Sequence, residues 1–208
     1  MPVMTRDVSV AAAALRRGEL VVYPTETFYG LGAMAADAAA LARLAAAKLR
    51  PEGKPLPVIA ADEAGAFALW ASVPADARRL AARFWPGPLT LVAAAAPGLP
   101  PEVAAGGTIG VRVPGAVVAR ELCRLAGGAV VSTSANPSGG PPPAAVDELA
   151  PDLLARVDVV LDGGRTPGGQ PSTVVEVGQG APRLLRAGAV PWPDVEAALH
   201  APLPSRGG

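Results

Sequence analysis

Glu19-Leu20-Val21-Val22-Tyr23-Pro24-Thr25-Glu26-Thr27-Phe28-Tyr29-Gly30-Leu31-Gly32 is the stretch on which the fold turns. The stretch 19–23, apolar without a break over 20–23 and halted by a proline, reads as a buried strand. Residues 24–32, rich in hydroxyls and aromatics, read as a loop leaving that strand. Upstream, 9–17 is predicted helical, with Asp7 or Ser9 as N-cap and Gly18 as terminator. Downstream, Asp37 can cap an Ala/Leu helix running to about residue 49, and a strand follows near 56–60.

Further along, helices are expected at 62–70, 75–84, 116–126, 144–149 and 194–200. Strands are expected at 89–95, 109–113, 129–132, 157–161, 173–177 and 183–186. Strands and helices alternate, yet several strands follow each other closely. That pattern predicts an α/β layered domain with a twisted, mixed sheet rather than a doubly wound parallel one. No internal repeat or interdomain linker is visible. The expected organisation is one domain over 1–200 and a loose tail over 201–208.

Composition narrows the function. Half of the 208 residues are hydrophobic, enough for a packed core. The 18 basic and 18 acidic residues balance, which argues against a protein whose main task is coating nucleic acid. One cysteine, Cys123, excludes an internal disulfide and a multi-cysteine metal site, and one histidine, His200, leaves little material for a Ser-His-Asp machine. No apolar stretch reaches the ~18 residues of a membrane span, and the N-terminus lacks a signal-peptide pattern. A soluble, cytoplasmic protein is the expectation, working with Lys, Arg, Ser, Thr, carboxylates and backbone amides.

Four polar clusters end apolar elements. The loop over 24–32 could line a pocket or be an ordinary turn whose threonines bond their own backbone. Lys48, Arg50 and Lys54 gather where a helix meets Pro51; they could neutralise a polyphosphate or merely partner a helix dipole. Lys48 and Lys54 are the only lysines in the chain. Residues 132–140 place small hydroxyls and amides at a strand end, a cradle for an anion or a plain turn. Arg186 ends an apolar run, and Arg112 interrupts a strand that otherwise reads as buried. A charge there needs a partner, either a structural carboxylate or a ligand's. No Walker or Gly-x-Gly-x-x-Gly fingerprint is present; Gly53-Lys54 is followed by Pro55.

Taken in order, PTETFYGLG (24–32), KLRPEGKPLPV (48–58), WPGPLT (85–90), TIGVRVP (108–114), VVSTSANPSGG (130–140), GGQPSTVVEV (168–177) and PRLLRAG (182–188) resemble the YrdC-like family of threonylcarbamoyl-AMP synthases. The resemblance implies a single-domain α/β fold around a large concave basic cavity. It also implies a nucleotidyltransferase that makes threonylcarbamoyl-AMP and pyrophosphate from L-threonine, bicarbonate or CO2 and ATP, for the N6-threonylcarbamoyladenosine of tRNA. Carried over by position, it implies that Lys48 and Arg50 position phosphates. ATP would meet Arg50, Lys54, Ser132, Ser134, Asn136 and Arg186, and threonine would meet Thr27, Arg112 and Ser172. Mg2+ would accompany ATP, held by phosphates and water rather than by a protein metal cage, and a downstream threonylcarbamoyl transferase would take the product. Ile59 stands where many relatives have histidine. Longer relatives carry a further C-terminal domain for which 208 residues leave no room. The alternatives are a non-synthase paralogue that binds structured RNA and a carbamoyl-handling module like that of hydrogenase maturation proteins, whose usual neighbouring segments are missing.

Overall fold

The computed structural model describes residues 1–48, 56–137 and 139–201. Arg50, Lys54 and residues 202–208 of the expected tail lie outside them.

The expected mixed sheet is divided into two. The first has the order β1 (Val3–Thr5), β9 (Val159–Leu161), β2 (Val21–Pro24), β3 (Tyr29–Gly32), β8 (Thr133–Ser134). The second runs β11 (Arg183–Arg186), β10 (Thr173–Glu176), β5 (Leu89–Ala94), β6 (Thr108–Arg112), β4 (Val58–Ile59), β7 (Val130–Val131). Each mixes parallel and antiparallel neighbours: β2 is parallel to β9 and antiparallel to β3, and β5 is parallel to β10 and antiparallel to β6.

β2 shows why the opening run carries no polar alternation. Val22 joins the larger core cluster and Val21 and Tyr23 the smaller one, so both faces of the strand are buried. The smaller cluster lies between α1 (Val8–Arg16) and α5 (Val117–Ala126), where Ala11, Ala12, Ala14 and Leu15 meet Ala119, Leu122 and Cys123. Alanines on that face let the helices and strands approach closely. Asp7 caps α1, its Oδ1 accepting from Ser9 N at 2.8 Å, which decides between the two candidate caps. Asp37 caps α2 (Ala38–Lys48) in the same way, accepting from Ala40 N at 3.0 Å.

The segment 24–32, read as a loop, is a hairpin: Tyr29–Gly32 pairs back antiparallel on Val21–Pro24. Its glycines obscured the strand, yet packing demands one of them. A Cβ on Gly32 would lie 2.7 Å from Tyr23 Cε1 and 2.9 Å from both Val130 Cγ1 and Val131 O. The helix expected over 144–149 is only a 3-10 turn, Val146–Glu148, and the one expected over 62–70 shrinks to α3 (Glu63–Phe67). α4 (Ala75–Phe84) matches its expected bounds, and α7 (Trp192–His200) starts two residues earlier than expected. α6 (Pro151–Leu154), β1 and β8 are too short to announce themselves. No helix among the described residues is long and apolar enough to cross a membrane.

The chain passes from one sheet to the other at Ser132, between β7 and β8, where its N–H donates to Pro57 O at 2.9 Å. Val131 N also reaches Ala33 O at 2.9 Å, which ties the two sheets together at this point.

Candidate functional site

Strand alternation builds the floor of one large cavity. On β5 and β6, Leu89, Leu91, Ile109 and Val111 turn into the core, while Thr90, Val92, Gly110 and Arg112 line the cavity. Register puts Val174 beside Thr90 and Gly110 beside Val92, so the floor is continuous across β10, β5 and β6. The hairpin loop at Thr25 and Thr27 and the loop after β7 form further parts of the lining. The cavity holds about 580 Å³, within the usual range for a small-molecule site.

Seven of the residues singled out from sequence line it: Thr27, Arg112, Ser132, Ser134, Asn136, Ser172 and Arg186. They come from both sheets and from five separate stretches of chain. Arg112 is buried, and its Nη1 forms an ion pair with Glu26 Oε1. The structural carboxylate left open as a partner is therefore present, although Arg112 still borders the cavity. Ser172 sits at a polar junction: its Oγ is 2.9 Å from Thr90 Oγ1 and accepts from Arg186 Nη2 at 3.0 Å. Arg186 also donates to Ser172 O from Nη2 at 2.7 Å and from Nε at 3.2 Å. Partial burial, and then the charge of Arg112, holds the Arg186 guanidinium below its ordinary range. Glu26 offsets the charge of Arg112, so Arg186, bonded among the described residues to Ser172 alone, is the group that makes this part of the cavity favour anions.

At the hairpin loop, Thr25 Oγ1 donates to Phe28 O at 2.7 Å and accepts from Thr27 N at 3.2 Å, so threonines do bond their own backbone there. The same residues line the cavity, and the two readings of this loop prove compatible. Thr27 O accepts from Gly168 N and from Thr166 Oγ1, each at 2.8 Å, which docks the loop onto the 162–170 segment.

Lys48 is not among the lining residues. It is 2% exposed, and its ammonium donates to Ser134 O and, at 2.8 Å, to Asn136 O. In these contacts it acts as a positioning residue beneath the 132–137 loop. Asn136 turns Nδ2 to Pro137 O at 2.9 Å and to Gly140 O at 2.6 Å, and among the described residues its buried Oδ1 has no hydrogen-bond partner. Ile59, at the end of β4, borders the cavity while its side chain is buried in the smaller core cluster. Cys123 lies in the core with its thiol pushed up to about 12 by burial, and takes no part in the site.

Sequence reasoning missed Thr90 and Glu176; the Glu26 carboxylate was expected among the groups lining the pocket, and the structure turns it away from the cavity to Arg112. Thr90 carried a signal, as a buried hydroxyl in the otherwise apolar run Leu89–Ala94. Glu176 lines the cavity on β10 and is ion-paired to Arg183 at 2.6 Å, which only tertiary structure reveals.

Residues 13–188 match the model of the Sua5/YciO/YrdC family, whose description reads telomere recombination. The chain belongs to the Sua5/YciO/YrdC family. A relative named threonylcarbamoyl-AMP synthase from Pyrococcus abyssi (strain GE5 / Orsay) is 40% identical over 191 residues, covering 91% of this chain and 56% of its own length. Another of that name from Halorhodospira halophila is 43% identical over 154 residues, covering 74% of this chain and 81% of the relative. P. abyssi Sua5 crystallised with L-threonine superposes with a TM-score of 0.89 at 37% identity, over 96% of this chain and 60% of that one. The chain thus spans a little over half the length of the P. abyssi relative, and its Sua5/YciO/YrdC fold extends over nearly all of its own residues.

Proposed function

We propose that this chain is an L-threonylcarbamoyladenylate synthase, a nucleotidyltransferase acting on ATP, L-threonine and bicarbonate or CO2. The observation that carries the reading is convergence: Thr27, Arg112, Ser132, Ser134, Asn136, Ser172 and Arg186 border one cavity of about 580 Å³. The names of its relatives support the same reading.

The chemistry suits such a site. The threonine amine attacks CO2 and loses a proton, giving a carbamate. One carbamate oxygen then attacks the α-phosphorus of ATP, forming the mixed anhydride as the bond to pyrophosphate breaks. No enzymic nucleophile is required; the protein must align the reactants and offset charge growing on the leaving group. Arg112, with Thr27 and Ser172, would receive the amino acid, its guanidinium fork matching a carboxylate. Ser132, Ser134, Asn136 and Arg186 would receive the nucleotide, with Lys48 holding their loop in shape. On the family resemblance, Arg50 and Lys54 would meet its phosphates. Among the described residues no cluster of three His, Cys, Asp or Glu side chains could hold a metal. On the family resemblance, Mg2+ would arrive with ATP as part of the substrate. The product would pass to a threonylcarbamoyl transferase, placing the protein in the cytoplasm with the tRNA it serves.

The test is pyrophosphate release from ATP and Mg2+ with threonine and bicarbonate supplied separately and together. Release that needs both supports the synthase. Release indifferent to threonine overturns it, and tight binding of structured RNA in its place would favour the paralogue.

A further inference from the structure

The resemblance assigns no role to Glu26, yet this residue lies between two cavity-lining threonines and does not line the cavity itself. One carboxylate oxygen pairs with Arg112 Nη1, and the other accepts from Ala116 N at 3.4 Å, at the N-terminal end of α5. Gly115 packs alongside; a Cβ there would meet Glu26 Cγ at 3.4 Å. The two side chains are 9% and 17% exposed, so solvent screens their attraction weakly.

We propose that Glu26 is a positioning residue for amino-acid recognition, joining Thr27 and Arg112 into one rigid unit. The inference rests on the synthase reading above. Arg112 has several rotatable bonds, and a guanidinium free to swing would have to be ordered each time a carboxylate arrived. Among the described residues Glu26 is its one hydrogen-bond acceptor, and it occupies Nη1. Nε and Nη2 remain for a planar, two-point contact with the ligand. Because Glu26 belongs to the hairpin loop, the same ion pair also fixes the distance between that loop and β6, and hence between Thr27 and Arg112. None of these hydrogen bonds reaches Ser134, Asn136 or Arg186, and the Arg112 charge that Arg186 feels stays in place when Glu26 is removed, so the loss should fall on the amino acid far more than on the nucleotide.

The experiment is calorimetric titration of wild type, Glu26→Ala and Glu26→Gln with threonine and, separately, with ATP. Glu26→Ala should raise the threonine Kd by roughly 3- to 10-fold, the cost of ordering a rotamer-rich arginine that the ion pair no longer holds in place. The ATP Kd should stay within about twofold of wild type. Glu26→Gln keeps an oxygen acceptor for Nη1 and should recover most of the threonine affinity. If Glu26→Ala does not fold, Glu26→Asp carries the test: it keeps the charge, shortens the reach by one methylene, and should lose threonine affinity alone. Unchanged threonine affinity, or equal loss of both ligands, would overturn the inference. A wild type that binds ATP but not threonine would overturn the synthase reading and this inference with it.

Discussion

Lys48 Nζ donates to the Asn136 carbonyl at 2.8 Å, so the last residue of α2 holds a loop 88 positions further along the chain. Ser134 O accepts from the same ammonium. Replacing Lys48 by Met keeps the length of the side chain and removes its donors. Buried carbonyls without partners cost about 1–3 kcal/mol, so the unfolding free energy from urea titration should fall by that amount. ATP affinity should weaken with it. A stable Lys48→Met protein with wild-type ATP affinity would show that the loop keeps its shape without the clamp.

Gly110 lies on β6 in the cavity floor. A Cβ there would lie 3.4 Å from Thr90 Cγ2 and Val92 Cγ2, ordinary contact distances, with the rest of a larger side chain rising into the cavity. Gly110→Val should therefore keep a melting temperature near that of wild type, helped by the β-propensity of valine. Ligand binding should drop by an order of magnitude or more as volume is lost. Retained binding of both ATP and threonine would move their site elsewhere.

Ser172→Ala removes one hydroxyl from the Thr90–Ser172–Arg186 junction but leaves the Ser172 carbonyl that anchors Arg186. Stability should change by less than about 1 kcal/mol, and threonine affinity should fall roughly 2- to 10-fold, the worth of one hydrogen bond. A titration with serine alongside threonine reads whether the lost contact is to the side chain or to the amino-acid backbone.

Gly188→Ala should act on the same junction from behind. Its Cβ would sit 2.3 Å from Pro171 O and 2.6 Å from both Ser172 C and Thr173 N, all of them backbone atoms that cannot turn aside. We expect a loss of about 2 kcal/mol or more, in the range of backbone-strain mutations, together with weakened threonine binding. A variant as stable as wild type would mean that the 171–173 segment can shift at little cost.

Alkaline pH should expose the smaller core cluster. Tyr23 and Cys123 both belong to it, and burial raises both groups, the thiol to about 12 and the phenol well above its ordinary range. In the unfolded chain the thiol ionises near ~8.5 and the phenol near ~10. Above those values the unfolded state has released protons that the native state still holds, so stability falls as pH rises. Their contribution is fully present below pH ~8.5 and is lost progressively above it. Melting curves from about pH 7 to 10.5 should show this decline, with its onset moved upward in Cys123→Ala. A folded-state thiol that reacts at pH 8 as fast as in denaturant would contradict the burial.

Long periodic elements were legible in the sequence because local pattern decides them. The helix over 75–84 and the strands at β5, β9, β10 and β11 emerged near their expected bounds. Tyr29–Gly32 did not, since glycines that pack on the ring of Tyr23 look like turn residues until that ring is in place. The split into two sheets was hidden for a similar reason: it depends on the crossing at Ser132, not on any strand's composition. In the site, Arg112 announced itself as a charge inside an apolar run. The Glu26 carboxylate was visible in its loop, but its pairing with Arg112 was not, because it depends on a strand 86 residues away lying beside it. Lys48 was visible as a cation, whereas its inward direction was not.

The polar pairs around the cavity span the chain: Glu26 to Arg112, Lys48 to Ser134 and Thr90 to Ser172 lie 86, 86 and 82 positions apart. No excised fragment containing only one member of these pairs could recreate the pocket. A small molecule seated there would hold distant parts of the polypeptide in register, and should raise the melting temperature of the entire body by mass action rather than stiffen one loop.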